Sequence, residues 1–271
     1  MNLKAILSDF DGTLVNKQNI YSSEVKELLD LIKNRNVHFS LATGRAYFGR
    51  VQKFLSALNL FNYHIFNGGA LIFNNKNNKI LFKQPISSDS INKIINYLLE
   101  TRLNFSCETI NLAYMNKVIK EPYYAKLSSM RPLNKLSDKS EVLKVLLFGI
   151  LNHLSETEVE NHKKKLSALC KDISIIKFKY IDRYGMDITS EKATKHTAVL
   201  EYEKLLKIPR NQIVAIGDGL NDYPLFTACG YKIAMENAPK ELKEIADFIA
   251  PTVENNGTLV ALEHIINKFK I

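Results

Sequence analysis

The chain has 271 residues, enough to bury a sizeable core as one large domain or two. Its formal charge of +9, from 37 Lys and Arg against 28 Asp and Glu, suits small anionic substrates as well as nucleic acid or acidic membranes. The lysines are scattered, no nucleic-acid module is recognisable, and no apolar stretch approaches the ~20 residues of a membrane span, so neither of those partners is expected. The run Lys163-Lys164-Lys165 falls in an expected helix, where it reads as a solvated face.

The chain begins with an apolar run over residues 3–8, ending abruptly at Asp9, with a second carboxylate at Asp11 and Gly12 directly after it. Parallel strands buried on both faces read as such near-continuous runs. Taken alone, Asp11-Gly12 is equally a tight turn and Asp9 a solvated strand end. Ser23–Asn34 then carries Val25, Leu28, Leu29 and Ile32 at the spacing of one helical face. Residues 37–42 read as a second strand, ending at Thr43-Gly44-Arg45. A helix over 48–58 leads to a third strand at 64–66, which ends at Asn67-Gly68-Gly69, and 71–73 with 80–82 make a hairpin. Strands alternating with helices imply right-handed crossovers and a parallel sheet.

Near residue 84 the pattern changes. Ser88–Glu100 is an amphipathic helix, followed by short strands at 104–107 and 112–115 and an apolar strand over 144–151. Ser155-Glu156-Thr157-Glu158 matches a capping box at the start of another helix. Strands at 174–180 and 184–188 complete what we expect to be an α+β domain over 84–187, inserted into a core formed by 1–83 and 188–271. The first pattern resumes with a helix at Lys195–Leu206 and a strand at 212–216 that ends at Gly217-Asp218-Gly219-Leu220-Asn221-Asp222. A strand at 232–235, a helix at 239–246 with proline at its first position, a strand at Phe248–Ala250 and a helix at 258–269 follow.

Cys107, Cys170 and Cys229 are far apart, odd in number and free of C-x-x-C spacing, which argues against a disulfide framework or a zinc site and suits a reducing cytoplasm. A signal peptide is not expected either, because Asp9 and Asp11 interrupt the region it would need apolar.

Four strand ends carry polar groups at places a folded sheet brings together: Asp9 and Asp11, Thr43-Gly44-Arg45, Asn67-Gly68-Gly69, and Asp218, Asn221 and Asp222. Lys195 opens a helix soon after the insertion. Converging carboxylates repel one another unless a cation sits among them, and oxygen ligands without His or Cys suit a hard ion such as Mg²⁺. A lysine, a hydroxyl and glycine-exposed N–H groups make a phosphate cradle. The ensemble points to phosphoryl chemistry. Each part also has a structural reading: Thr43-Gly44 as a helix cap, Asn67-Gly68-Gly69 as a turn, Arg45 and Arg50 as local anchors.

Together these motifs resemble the haloacid dehalogenase-type phosphatase superfamily, in its Cof-like branch with a large α/β cap. They stand here as Asp9-Phe10-Asp11-Gly12-Thr13, Leu41-Ala42-Thr43-Gly44-Arg45, Lys195 and Gly217-Asp218-Gly219-Leu220-Asn221-Asp222, with Ala234-Met235-Glu236-Asn237-Ala238-Pro239 also matching. The resemblance implies a Rossmann-like three-layer α/β core around a parallel sheet. It implies that Asp9 attacks phosphorus and that Asp11 serves as acid and then base, also lending its backbone carbonyl to the metal. Thr43, Gly44, Lys195 and Asn221 would hold the phosphoryl group, and Asp9, Asp11, Asp218 and Asp222 would hold Mg²⁺. Lys195 is preferred over Lys192 because of its spacing from Asp187-Ile188-Thr189. His196 stands where the family usually has glycine, and reads as a surface residue.

The expected activity is hydrolysis of a small phosphorylated metabolite, a sugar phosphate or similar ester, through an aspartyl-phosphate. A phosphomutase on the same core, a phospho-accepting receiver domain and a non-catalytic binding protein are the alternatives. The inserted domain and Asp11 speak against a receiver. Lys126, Arg131, Arg183 and Tyr184 are candidate substrate contacts in the cap.

Overall fold

The computed structural model describes residues 2–16, 21–117, 129–180 and 182–271. The chain folds as two compact units, one made of Met1–Gly44, Phe54–Phe82 and Thr194–Ile271, the other of Arg45–Lys53 and Lys83–Ala193. The division at 188 expected from sequence differs from this one, because the strand that contains Ile188 runs unbroken to Ser190.

Through the first crossovers the described elements are β1 (Ala5–Ser8), α1 (Ser23–Asn34), β2 (His38–Leu41), α2 (Arg50–Ala57), β3 (Tyr63–Phe66), β4 (Leu71–Asn74) and β5 (Lys79–Lys83). The inserted segment gives α3 (Ser88–Glu100), β6 (Phe105–Glu108), β7 (Ala113–Met115), β8 (Met130–Pro132), β9 (Lys144–Leu147), α4 (Gly149–Asn152), α5 (Glu156–Leu169), β10 (Ile173–Tyr180) and β11 (Arg183–Ser190). After it come α6 (Lys195–Leu206), β12 (Ile213–Gly217), α7 (Tyr223–Ala228), β13 (Tyr231–Met235), α8 (Lys240–Glu244), β14 (Phe248–Ala250) and α9 (Gly257–Phe269).

The first unit is built on a parallel sheet of order β14-β13-β12-β1-β2. Every residue of β1 and β12 is buried, as a central strand covered on both faces requires. Ala198, Val199 and Tyr202 of α6 pack with Ala5, Leu7, Ile213 and Ala215 of these strands in one apolar cluster. β1 pairs with β2, the next strand in the chain, on one side and with β12 on the other. The order therefore reverses between β1 and β12, and a crevice opens at the carboxyl ends of such neighbours.

Two expectations need correction. The strand after α2 does not join the parallel sheet: β3 forms a separate three-stranded sheet with β4 and β5, linked to the chain beyond β2 by the bridge Ala42↔Ile65 and by Thr43 N–H donating to Ile65 O at 3.0 Å. One cause is visible at Leu41, whose N–H donates to His64 Nδ1 at 3.0 Å, a side chain taking the place of a strand carbonyl. The apolar run from Lys144 stops being a strand at Leu147, and Gly149–Asn152 is a helical turn. The Asn152 side chain turns the chain there, accepting from Asn104 N at 2.6 Å and donating to Asn104 O and Phe148 O, both at 2.8 Å.

The second unit carries a six-stranded sheet of order β10-β11-β9-β6-β7-β8. β8, which sequence patterning does not reveal, pairs parallel with β7; the other pairs are antiparallel. Alternation along these strands sorts the two faces. Phe105, Cys107, Val145, Leu147, Met186 and Ile188 pack with Ile91, Ile94 and Leu98 of α3 and with Val159 and Leu166 of α5. Glu108, Lys144 and Thr189 alternate with these core residues and share one cross-strand row on the other face. The capping box expected at Ser155 is present, with Glu158 as its partner.

Candidate active site

Asp9 follows β1 directly. Its N–H donates to Ile216 O at 2.9 Å, extending the β1–β12 ladder, so the side chain leaves the sheet in a position fixed by both strands. Lys195 comes from the first turn of α6, whose start is capped by Thr194 accepting from Thr197 N. Both groups are buried, and Lys195 Nζ lies 2.6 Å from Asp9 Oδ1 and 2.5 Å from Asp222 Oδ1. The other oxygen of Asp222 accepts from the N–H groups of Asp218 and Gly219, at 3.0 and 3.1 Å. Asp222 therefore ties its own loop to the Lys195 helix.

Asp218 follows β12 as Asp9 follows β1. Its Oδ1 accepts from Thr13 Oγ1 at 2.8 Å and its Oδ2 from Asn237 Nδ2 at 3.1 Å. The loop after Asp9 passes so close that a Cβ on Gly12, whose φ is +79°, would lie 2.4 Å from Asp218 Oδ2. Only glycine accepts both that conformation and that contact. At Gly69, with φ +112°, a Cβ would lie 2.1 Å from Thr194 O. The Asn67-Gly68-Gly69 turn is thus pressed against the start of the Lys195 helix, and Gly68 N donates to Thr43 O at 3.0 Å.

One oxygen from each of Asp9, Asp218 and Asp222 falls within 4.8 Å of the others. With the Lys195 ammonium beside them, three carboxylates leave two negative charges in excess. Burial pushes the Asp9 carboxyl well above the usual range, Lys195 pulls it back, and the Asp222 and Asp218 charges push it up again. Asp218 is pushed up to about 6 by burial, against the hydrogen bond from Thr13, with the Asp222 charge adding to the rise. Burial alone would lower Lys195, but Asp222 and Asp9 hold its pKa above the ordinary lysine value. A small hard cation fits this set: all donors are oxygen, they converge, and they carry uncompensated negative charge.

Asp11 is exposed in the same loop, and the Asp11↔Val15 bridge holds its backbone. Thr43 is buried, with its N–H donating to Ile65 O and its carbonyl accepting from Gly68, so any contact with a ligand falls to its hydroxyl. Gly44 follows at the mouth of β2, and Asn221 is exposed in the turn Leu220–Asp222. Of the two lysines weighed from sequence, Lys195 meets Asp9, whereas Lys192 is exposed. His196 Nδ1 lies 3.1 Å from Thr227 Oγ1 on α7.

In the second unit, Arg45 lies near enough to Glu108 and Asp187 to favour their charged forms. Arg50 is exposed at the start of α2. Arg131 is exposed on β8, with Nη1 donating to Met130 O, and Arg183 is exposed at the start of β11. The Tyr184 ring faces Lys177 and Lys179 at 5.8 and 5.7 Å. Lys126 lies outside the described residues. The contacts of Thr13, Gly69 and Asn237 carried no separate sequence signal beyond their place in or beside the motifs.

Residues 6–262 match the family model described as haloacid dehalogenase-like hydrolase. Bacillus subtilis YxeH is 28% identical, over 97% of this chain and 98% of that protein. The Bacillus subtilis 5-amino-6-(5-phospho-D-ribitylamino)uracil phosphatase YwtE is 24% identical, over 98% of this chain and 99% of that one. Among solved structures, a haloacid dehalogenase-like hydrolase from Bacteroides thetaiotaomicron superposes with a TM-score of 0.83 at 22% identity, covering 97% of this chain and 99% of that one. The chain belongs to the haloacid dehalogenase-like hydrolase family, as one of its phosphatases.

Proposed function

We propose that this phosphatase is a Mg²⁺-dependent phosphomonoesterase that hydrolyses a small phosphorylated metabolite through an aspartyl-phosphate on Asp9. The observation that carries this reading is the buried Asp9 carboxylate at the end of β1, paired with Lys195 at 2.6 Å and converging with Asp218 and Asp222. A carboxylate in that position attacks phosphorus as the ester P–O bond breaks, splitting hydrolysis into two displacements. Asp11, two residues on and exposed to an arriving ligand, gives its proton to the leaving alkoxide and then takes one from the water that cleaves the acyl phosphate. Lys195, the Thr43 hydroxyl, Gly44 and Asn221 hold the phosphoryl oxygens.

Asp9, Asp218, Asp222 and the Asp11 backbone carbonyl would hold Mg²⁺. When bound, the ion neutralises charge on the transferring group. Lys195 screens Asp9 from the incoming anion and keeps it from repelling the phosphate. The substrate we infer is a phosphate ester of a sugar or similar polyol. The relative YwtE, named for a phosphoribitylaminouracil, supports that class. The cysteines, all free and buried, agree with a reducing cytoplasm, and among the described residues no helix is long and apolar enough to cross a membrane.

The test is phosphate release from a panel of phosphorylated sugars, polyols, nucleotides and cofactors, with Mg²⁺ and with EDTA. Turnover should need the metal and disappear in Asp9→Asn. Full activity in that variant would sink the mechanism, and transfer between sugar positions without phosphate release would identify a mutase.

A further inference from the structure

Asp218 is held by groups that lie far from it in the chain. Thr13 Oγ1 donates to Oδ1 at 2.8 Å and Asn237 Nδ2 donates to Oδ2 at 3.1 Å, so each oxygen has one donor. Thr13 is itself held from behind. Thr258 Oγ1, in the first turn of α9, donates to the Thr13 carbonyl at 2.6 Å, and both threonines are buried. The loop that carries Thr13 is closed on itself, with Leu14 N and Val15 N both donating to Phe10 O at 3.0 Å and Gly12 N to Val15 O at 2.9 Å. At the other end, Gly257 lets α9 start against its neighbours: a Cβ there would lie 1.9 Å from Pro251 O and 2.7 Å from Met235 Cε.

We propose that Thr258, acting through Thr13, and Asn237, acting directly, are positioning residues that set the Asp218 carboxylate for the metal. This rests on the reading of Asp218 as a ligand of Mg²⁺. A carboxylate with one free torsion presents its lone pairs in many directions. One donor on each oxygen holds the plane and leaves the remaining lone pairs for the cation. Partners of this kind behind a metal ligand change metal affinity by about 10–100-fold. The final helix of the fold, whose packing against the sheet looks purely structural, thereby reaches the site through two hydroxyls.

The experiment is Mg²⁺ titration of the whole protein by calorimetry, with circular dichroism to confirm folding and kcat measured at saturating Mg²⁺. Thr13→Val should weaken Mg²⁺ by about tenfold or more, and Thr13→Ser should restore it. Asn237→Ala should weaken it less, because its contact is exposed. Thr258→Val should weaken Mg²⁺ in the wild-type background and add nothing in Thr13→Val, because its route runs through Thr13. In each case kcat should recover at saturating metal, which a general loss of structure would not allow. If Thr13→Val does not fold, Thr258→Val against Thr258→Ser, with Asn237→Ala, decides the matter. Wild type and Asp218→Asn separate the two levels of inference. Equal binding by those two overturns Asp218 as a ligand. Loss in Asp218→Asn, with wild-type affinity in all the threonine and asparagine variants, overturns the relay alone.

Discussion

The Lys195 ammonium stands 2.6 Å from the Asp9 carboxylate, although 186 residues separate them in the chain. In the proposed mechanism Asp9, as the nucleophile toward an anionic phosphate, would gain from a cation already in place, because that cation is oriented by α6 before a substrate arrives. Lys195→Met should lower kcat/KM by about 10³-fold or more at saturating Mg²⁺. Activity within tenfold of wild type would remove Lys195 from the machinery.

The start of the same lysine's helix is approached closely by Gly69, but not by its neighbour Gly68. Gly69 has φ +112° and its missing Cβ would fall 2.1 Å from Thr194 O, whereas Gly68, with φ +68°, has open space around the corresponding position. Gly68→Ala should cost about 1–2 kcal/mol, the left-handed backbone alone. Gly69→Ala adds overpacking against backbone that cannot yield, about 1–3 kcal/mol more. Urea unfolding of both variants checks the ranking; equal losses would mean that the close approach to Thr194 carries no energy.

His64 makes stability depend on pH. It is fully buried, and Leu41 N–H donates to its Nδ1, so the proton sits on Nε2, which donates to Leu60 O at 3.2 Å. Burial lowers its pKa from 6.5 to about 4. The unfolded chain therefore binds a proton that the folded chain refuses between those values, and stability falls as pH drops through the window. The loss amounts to about 3 kcal/mol when complete. His64→Gln, which does not titrate, should be less stable than wild type at pH 7, and the difference should shrink as pH falls from 7 towards 4. A difference that does not change with pH would contradict the buried neutral imidazole.

On the second unit's sheet, Lys144 Nζ lies 3.2 Å from Glu108 Oε2 and 3.3 Å from Asp187 Oδ1. Burial raises both carboxylates and Lys144 pulls both back. Removing the cation takes the lysine from the buried Glu108 and the partly buried Asp187, so Lys144→Met should destabilise by about 3–5 kcal/mol in equilibrium unfolding. Adding Glu108→Gln and Asp187→Asn should recover part of that loss, since the stranded charges are then gone. No recovery would place the cost of Lys144→Met in packing instead.

By itself the sequence determined the parts that depend on local pattern. The buried runs before Asp9 and Asp218, the helical faces of α1 and α3, the capping box at Ser155 and the change of pattern near residue 84 are all local features of periodicity or turn chemistry. Asp9 and Asp218 were legible for the same reason: each stands where an apolar run stops. What followed from partners across the fold was not legible. β3 left the parallel sheet because His64 takes Leu41's N–H, and the run after Leu147 turned because Asn152 reaches Asn104. Spacing already favoured Lys195 over Lys192, but only the tertiary structure sets its ammonium 2.6 Å from Asp9 and leaves Lys192 exposed. Thr258 shows the limit most clearly, standing 245 positions along the chain from Thr13. A hydroxyl's partner depends on where the backbone brings its acceptor, and periodicity reports burial, not that meeting.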